Sequence, residues 1–136
     1  MTGNWAGAEA PGEDVIADLA EATIAALPAP YRDAARGVAM RIADFASDDM
    51  LDALGIDDGA DLTGLYEGIP LTEKSVMDQA DRPDAIWLFR LPILYEWTER
   101  GDVTLGALVA HVLVHELAHH FGWSDAEIAR IDRWWE

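Results

Sequence analysis

Between Thr104 and Phe121, the apolar residues Leu105, Leu108, Val109, Val112, Leu113, Leu117 and Phe121 recur at helical spacing, with His111, His115 and His119 four apart beside them. A stripe this broad predicts one long helix whose apolar side belongs to the core. Residues i and i+4 lie one above the other on such a helix, so the imidazoles of His115 and His119 can reach a single metal ion.

Glu116 follows the first of that pair and falls about 100° further round the helix, beside an ion rather than on it. A carboxylate there is placed to take a proton from a water activated by the metal, the general-base role in metal-assisted hydrolysis. The three fixed residues of H-E-x-x-H are a moderate signal alone. Here the text continues through Gly122 to Asp125, giving H-E-x-x-H-x-x-G-x-x-D. The glycine is expected to end the helix in a left-handed conformation and turn the chain back under the metal. Asp125 then stands where a third ligand would arrive, and carboxylate is an accepted zinc donor. The predicted site is therefore Zn2+ held by His115, His119 and Asp125, with Glu116 as base. Two neutral imidazoles and one carboxylate would leave a formal site charge of +1, which places more of the work of activating water on Glu116.

Each assignment competes with a plainer one. An acid in the first turn after an N-cap is favoured by the helix dipole alone, and Ser124 supplies the capping hydroxyl ahead of Asp125. Glu127 is the alternative third ligand, although Ser124-Asp125-Ala126-Glu127 has the form of a capping box that turns this side chain back towards Ser124. His120, rotated about 100° from His119, reads as a packing or hydrogen-bonding residue. His111 reads as a partly exposed histidine with a possible substrate-side role. Tyr66 and Tyr95 are candidate oxyanion donors by residue type only.

Composition narrows the partners. The chain has 136 residues and no cysteine, so disulfides and thiolate ligands are excluded and a transition metal must be held by histidine and carboxylate. Its formal charge is −17 with Lys74 the only lysine, which disfavours nucleic acid and anionic membrane surfaces as partners, while the motif itself points to a peptide or protein substrate. Residues 1–14 lack the basic and apolar regions of a secretory signal, and the longest apolar stretch, Leu105 to Val114, is interrupted by His111 and too short to span a bilayer. A cytoplasmic protein is the expectation.

Along the chain, residues 1–14 read as a flexible tail and residues 15–136 as one domain. A helix is expected from Val15 to Leu27, stopped by Pro28 and Pro30, then a helical turn over Tyr31 to Arg36. Val38, Met40 and Ile42 alternate with Arg41 as a strand does, Asp48 to Leu54 reads as a turn of helix capped by Gly55, and Leu62 to Tyr66 as a weaker strand. Leu71 to Asp84 is a polar excursion expected on the surface. Ala85 to Phe89 is the best strand, buried on both faces. Short helices are expected over Ile93 to Arg100 and from Asp125 to about Trp135, with Trp123, Trp134 and Trp135 packing the latter.

Three further stretches carry a resemblance: Gly64-Leu65-Tyr66-Glu67-Gly68-Ile69-Pro70-Leu71, Ile86-Trp87-Leu88-Phe89-Arg90-Leu91-Pro92-Ile93, and Val114-His115-Glu116-Leu117-Ala118-His119-His120-Phe121-Gly122. With these, roughly Val15 to Arg130 resembles a family of small bacterial zincin-like metallopeptidases. The resemblance implies an α+β, minimal zincin-like fold: a small mixed sheet packed against an N-terminal helix and the metal-binding helix, with a short C-terminal helix. It also implies a zinc-dependent peptidase. The pattern is similar to that of the metzincins only in part, because no methionine follows Asp125. A metal-stabilised binding or regulatory module of the same fold is the alternative. Retention of Glu116 argues for the enzyme, because a structural metal needs no base. Metal-dependent ribonucleases with a histidine-rich helix rank last, since they lack the glutamate and the charge opposes RNA.

Overall fold

A computed structural model describes residues 11–68 and 84–122, and the following concerns those residues. In chain order they form helices α1 (Glu13–Ala25) and α2 (Ala29–Ala35), strand β1 (Ala39–Ala43), helix α3 (Asp48–Leu54), a 3-10 turn (Gly59–Asp61), strands β2 (Gly64–Glu67) and β3 (Ala85–Phe89), and helices α4 (Arg90–Arg100) and α5 (Leu105–Phe121). The strands make one mixed sheet in the order β1-β3-β2, β1 parallel and β2 antiparallel to β3. This is the α+β arrangement expected, five helices with a small mixed sheet.

Most elements start and stop where local chemistry dictates. Helix α1 begins two residues before Val15, with Glu13 and Asp14 in the first turn, where acids oppose the positive end of the helix dipole. Pro28 precedes α2, and Pro30 sits in its first turn, where a missing N–H costs nothing. Ser47 caps α3 by accepting from the Met50 N–H at 3.2 Å. Helix α4 follows β3 without a linker, starting three residues earlier than expected, and tolerates Pro92 because that residue lies within its first turn. Helix α5 is capped by Thr104, whose hydroxyl accepts from the Ala107 N–H at 3.0 Å.

The core lies between one face of the sheet and the pair α1 and α5. Ile86 and Leu88 of β3 are fully buried against Ile16, Ala20 and Ile24 of α1 and Leu108, Val109, Val112, Leu113 and Leu117 of α5. Each such aliphatic side chain contributes about 1.5–3 kcal/mol by leaving water. On the opposite face Trp87 stacks on Phe89 with centroids 6.2 Å apart, donates through Nε1 to Glu67 at 2.6 Å, and lies under the Arg41 guanidinium. Strand β3 is therefore covered on both sides, as its unbroken apolar run predicts. No described helix is long and apolar enough to cross a membrane.

Strand β2 begins two residues later than expected, at Gly64, and is one of the two edge strands of the described sheet. The Phe89 N–H bonds the Thr63 carbonyl at 2.9 Å, which sets the alternation of the antiparallel pair. Tyr66, opposite Ile86, then falls at a non-hydrogen-bonded position, with its N–H turned outward from β3.

Candidate metal centre

Two adjacent rows of α5 side chains build the site. Val112, Glu116 and His120 form an i, i+4, i+8 ridge lying along β2, and His111, His115 and His119 form the next ridge, turned about 100° away. Close approach of the first ridge to β2 depends on Gly64. A Cβ built there would stand 2.7 Å from Val112 Cγ1, 3.3 Å from Glu116 Cγ and 3.3 Å from the Trp87 carbonyl oxygen. Sequence reasoning passed over Gly64, although a glycine inside a strand is itself a signal of close backbone approach.

On the second ridge, His115 is half-buried and His119 exposed. Their rings meet edge to face, with centroids 5.1 Å apart and planes at 74°. A tetrahedral ion held by two imidazole nitrogens at about 2.0–2.1 Å keeps the ring centres roughly 5 Å apart, so this pair fits one zinc-type ion in spacing and donor chemistry. Gly122 ends the helix at φ 77°, the left-handed conformation expected of it, and its N–H bonds the His119 carbonyl at 3.0 Å. Asp125, the third donor by pattern, and its alternative Glu127 lie outside the described residues, as do Ser124, the final helix and Trp123, Trp134 and Trp135. Among the described residues no three metal-ligating side chains stand together.

Glu116 occupies the seam between the ridges. Its carboxylate faces the backbone N–H of Tyr66, the outward-facing amide of β2. Burial pushes its carboxyl above the ordinary range, while the charge of His115 and the Tyr66 N–H oppose that shift. The result is a half-buried carboxyl of increased basicity, held by a backbone donor and placed one residue from a candidate ligand.

Behind it lies a polar cluster. Tyr66 Oη donates to Asp84 Oδ2 at 2.8 Å and lies 3.2 Å from His120 Nδ1, which is 3.1 Å from the same Asp84 oxygen. Asp84 and His120 are only 8% and 3% exposed. His120 is thus the hydrogen-bonding residue expected. Asp84 corrects the sequence reading, which placed it at the end of a surface loop. Its carbonyl accepts from the Ala39 N–H at 2.8 Å, extending the β1–β3 pairing by one residue and drawing the side chain inside. Tyr66 is corrected as well: its only hydroxyl proton is given to Asp84, and burial beside that carboxylate pushes the phenol's pKa far upward. It is therefore not poised to stabilise an oxyanion. Tyr95 is about half exposed on α4, against Phe45 at 6.4 Å between centroids.

An α+β domain that presents two histidines and a glutamate from one helix beside an edge strand has the plan of a zincin. The sequence of residues 35–135 matches the family described as zincin-like metallopeptidase, and this chain belongs to that family. No curated protein shows significant similarity to it.

Proposed function

We propose that this chain is a zinc-dependent peptidase in which His115, His119 and Asp125 hold the ion and Glu116 is the general base. The supporting observation is Glu116 itself: a half-buried carboxylate, raised in basicity, beside two imidazoles spaced for one ion. A zinc ion bound there supplies Lewis acidity, polarising the scissile carbonyl and acidifying the attacking water.

The remaining work belongs to the chain. Glu116 takes a proton from the attacking water and, once protonated, returns it to the departing amine nitrogen. The Tyr66 N–H keeps the carboxylate turned towards the reacting side while ionised. Exposure of His119 leaves the site open enough for an extended peptide, and β2, at an edge among the described strands, offers backbone along which such a peptide can lie.

The test is metal analysis joined to digestion of a peptide library. About one zinc per chain with cleavage is expected, and Glu116→Ala should keep the metal and lose about 10²–10⁴-fold in rate. Zinc-loaded protein that cleaves no peptide would sink the proposal.

A further inference from the structure

The Asp84 and His120 side chains are more deeply buried than the site they adjoin, Tyr66 is partly buried against them, and no step of the reaction uses these three side chains. The Tyr66 hydroxyl has one proton and gives it to Asp84 Oδ2. The contact between His120 Nδ1 and the same Asp84 oxygen is a hydrogen bond in the tautomer that carries its proton on Nδ1. The three atoms then form a closed triangle with sides of 2.8, 3.1 and 3.2 Å.

The triangle joins three separate parts of the chain. Asp84 heads β3 and is tied to β1 through its carbonyl, His120 stands on α5 one turn beyond Glu116, and Tyr66 lies on β2. The ring of Tyr66 also meets that of His120 edge-on, with centroids 5.6 Å apart. Gly68, just after β2, packs so closely on Asp84 that a Cβ would overlap its carboxylate, so the turn leaving the strand is fitted to the same group. Tyr66 is also the residue whose outward N–H holds Glu116.

We propose that Asp84 and His120 are positioning residues that act through Tyr66: by anchoring its side chain they fix the edge strand against α5 and set the backbone amide that aims the Glu116 carboxylate. This rests on the general-base reading of Glu116 for its consequence in turnover, but the anchoring is measurable without turnover. A short edge strand bonded to a neighbour on one side only is free to fray. Among the described residues β2 has one strand neighbour, β3, and the side-chain anchor adds a second tie, to α5.

The experiment uses the full zinc-loaded chain and compares Tyr66→Phe, Asp84→Ala and Asp84→Asn by amide hydrogen exchange and by peptide hydrolysis. Tyr66→Phe keeps the ring and removes one hydroxyl, so it remains informative if Asp84→Ala does not fold. Protection of the residue 66 amide should fall about tenfold or more in Tyr66→Phe and Asp84→Ala, with amides of α1 unchanged. Zinc stoichiometry should hold, while kcat falls about tenfold and KM changes little. Asp84→Asn, which keeps an acceptor for the tyrosine, should restore most of both losses. Unchanged protection at residue 66 in Tyr66→Phe, or loss spread evenly through α1 and α5, would overturn the proposal. If the wild-type chain cleaves no peptide, the base reading fails by itself, and the amide protection still decides whether the anchor exists.

Discussion

The backbone N–H of Tyr66 faces the carboxylate of Glu116, so a strand residue, rather than another side chain of the motif helix, stands against the candidate base. The contact needs three conditions: an edge strand, a register that turns the Tyr66 amide outward, and a glycine at position 64 that lets α5 come close. A carboxylate held by a backbone amide keeps its direction at little conformational cost, because the donor belongs to the sheet.

Burial of Glu116 has a thermodynamic consequence in the metal-free protein. Its folded pKa is raised, with burial the leading cause, so the folded state favours the protonated carboxyl. The sign follows from linkage: stability is full below the unfolded carboxyl value and declines as pH rises from there through the raised folded value. Glu116→Gln removes that decline. Thermal melts of metal-free protein should show the variant equal to wild type in acid and more stable near neutral pH. A wild-type advantage near neutral pH would contradict the direction given.

His115 and His119 share a ridge but not an environment, and their variants should separate metal binding from folding. His119 is exposed, so His119→Ala should leave the metal-free unfolding free energy within about 0.5 kcal/mol of wild type. Its loss should appear only on adding zinc. Wild type should gain about 2.7 kcal/mol at a free metal concentration a hundred times its Kd, and the variant almost none. His115→Ala should lose the same zinc-dependent gain while costing more without metal, since a half-buried ring is removed. Differential scanning calorimetry with and without zinc measures both.

Much of this was legible beforehand because it is local. The stripe from Leu105 to Phe121, the left-handed Gly122 and the apolar run Ala85 to Phe89 each report on neighbours in sequence, and each element formed there. The triangle of Tyr66, Asp84 and His120 was not legible, because its members are separated by 18 and 36 residues and meet only through sheet register and helix packing. Asp84 closes a polar stretch, and nothing local distinguishes it from the acids before it. Its burial follows from heading β3, a position set by pairing with β1. The Tyr66 amide escaped for a related reason, since whether a strand N–H faces inward or outward depends on pairing.

The third ligand is an inference from pattern and has its own measurement. Asp125→Asn keeps size and an oxygen donor but removes the charge that favours a divalent ion. Zinc competition titrations should show Asp125→Asn weakened by about a hundredfold or more, with Glu127→Gln altered by less than about tenfold. The reverse order would transfer the assignment to Glu127.

Gly64 offers the sharpest test of how the strand and helix meet. An alanine there places a methyl carbon 2.7 Å from Val112 Cγ1, closer than side-chain carbons approach, and 3.3 Å from both Glu116 Cγ and the Trp87 carbonyl. Val112 is β-branched and buried, so it cannot swing aside without disturbing Leu108 and Leu113. The helix must therefore move away from the strand, at about 1–3 kcal/mol by the usual cost of overpacking. That movement stretches the contact between the Tyr66 N–H and Glu116 while leaving His115 and His119 on the same helix face. Gly64→Ala should accordingly bind zinc with near wild-type affinity, melt at lower temperature and lose kcat more than KM. Wild-type kcat in a folded Gly64→Ala protein would show that β2 does not hold the base.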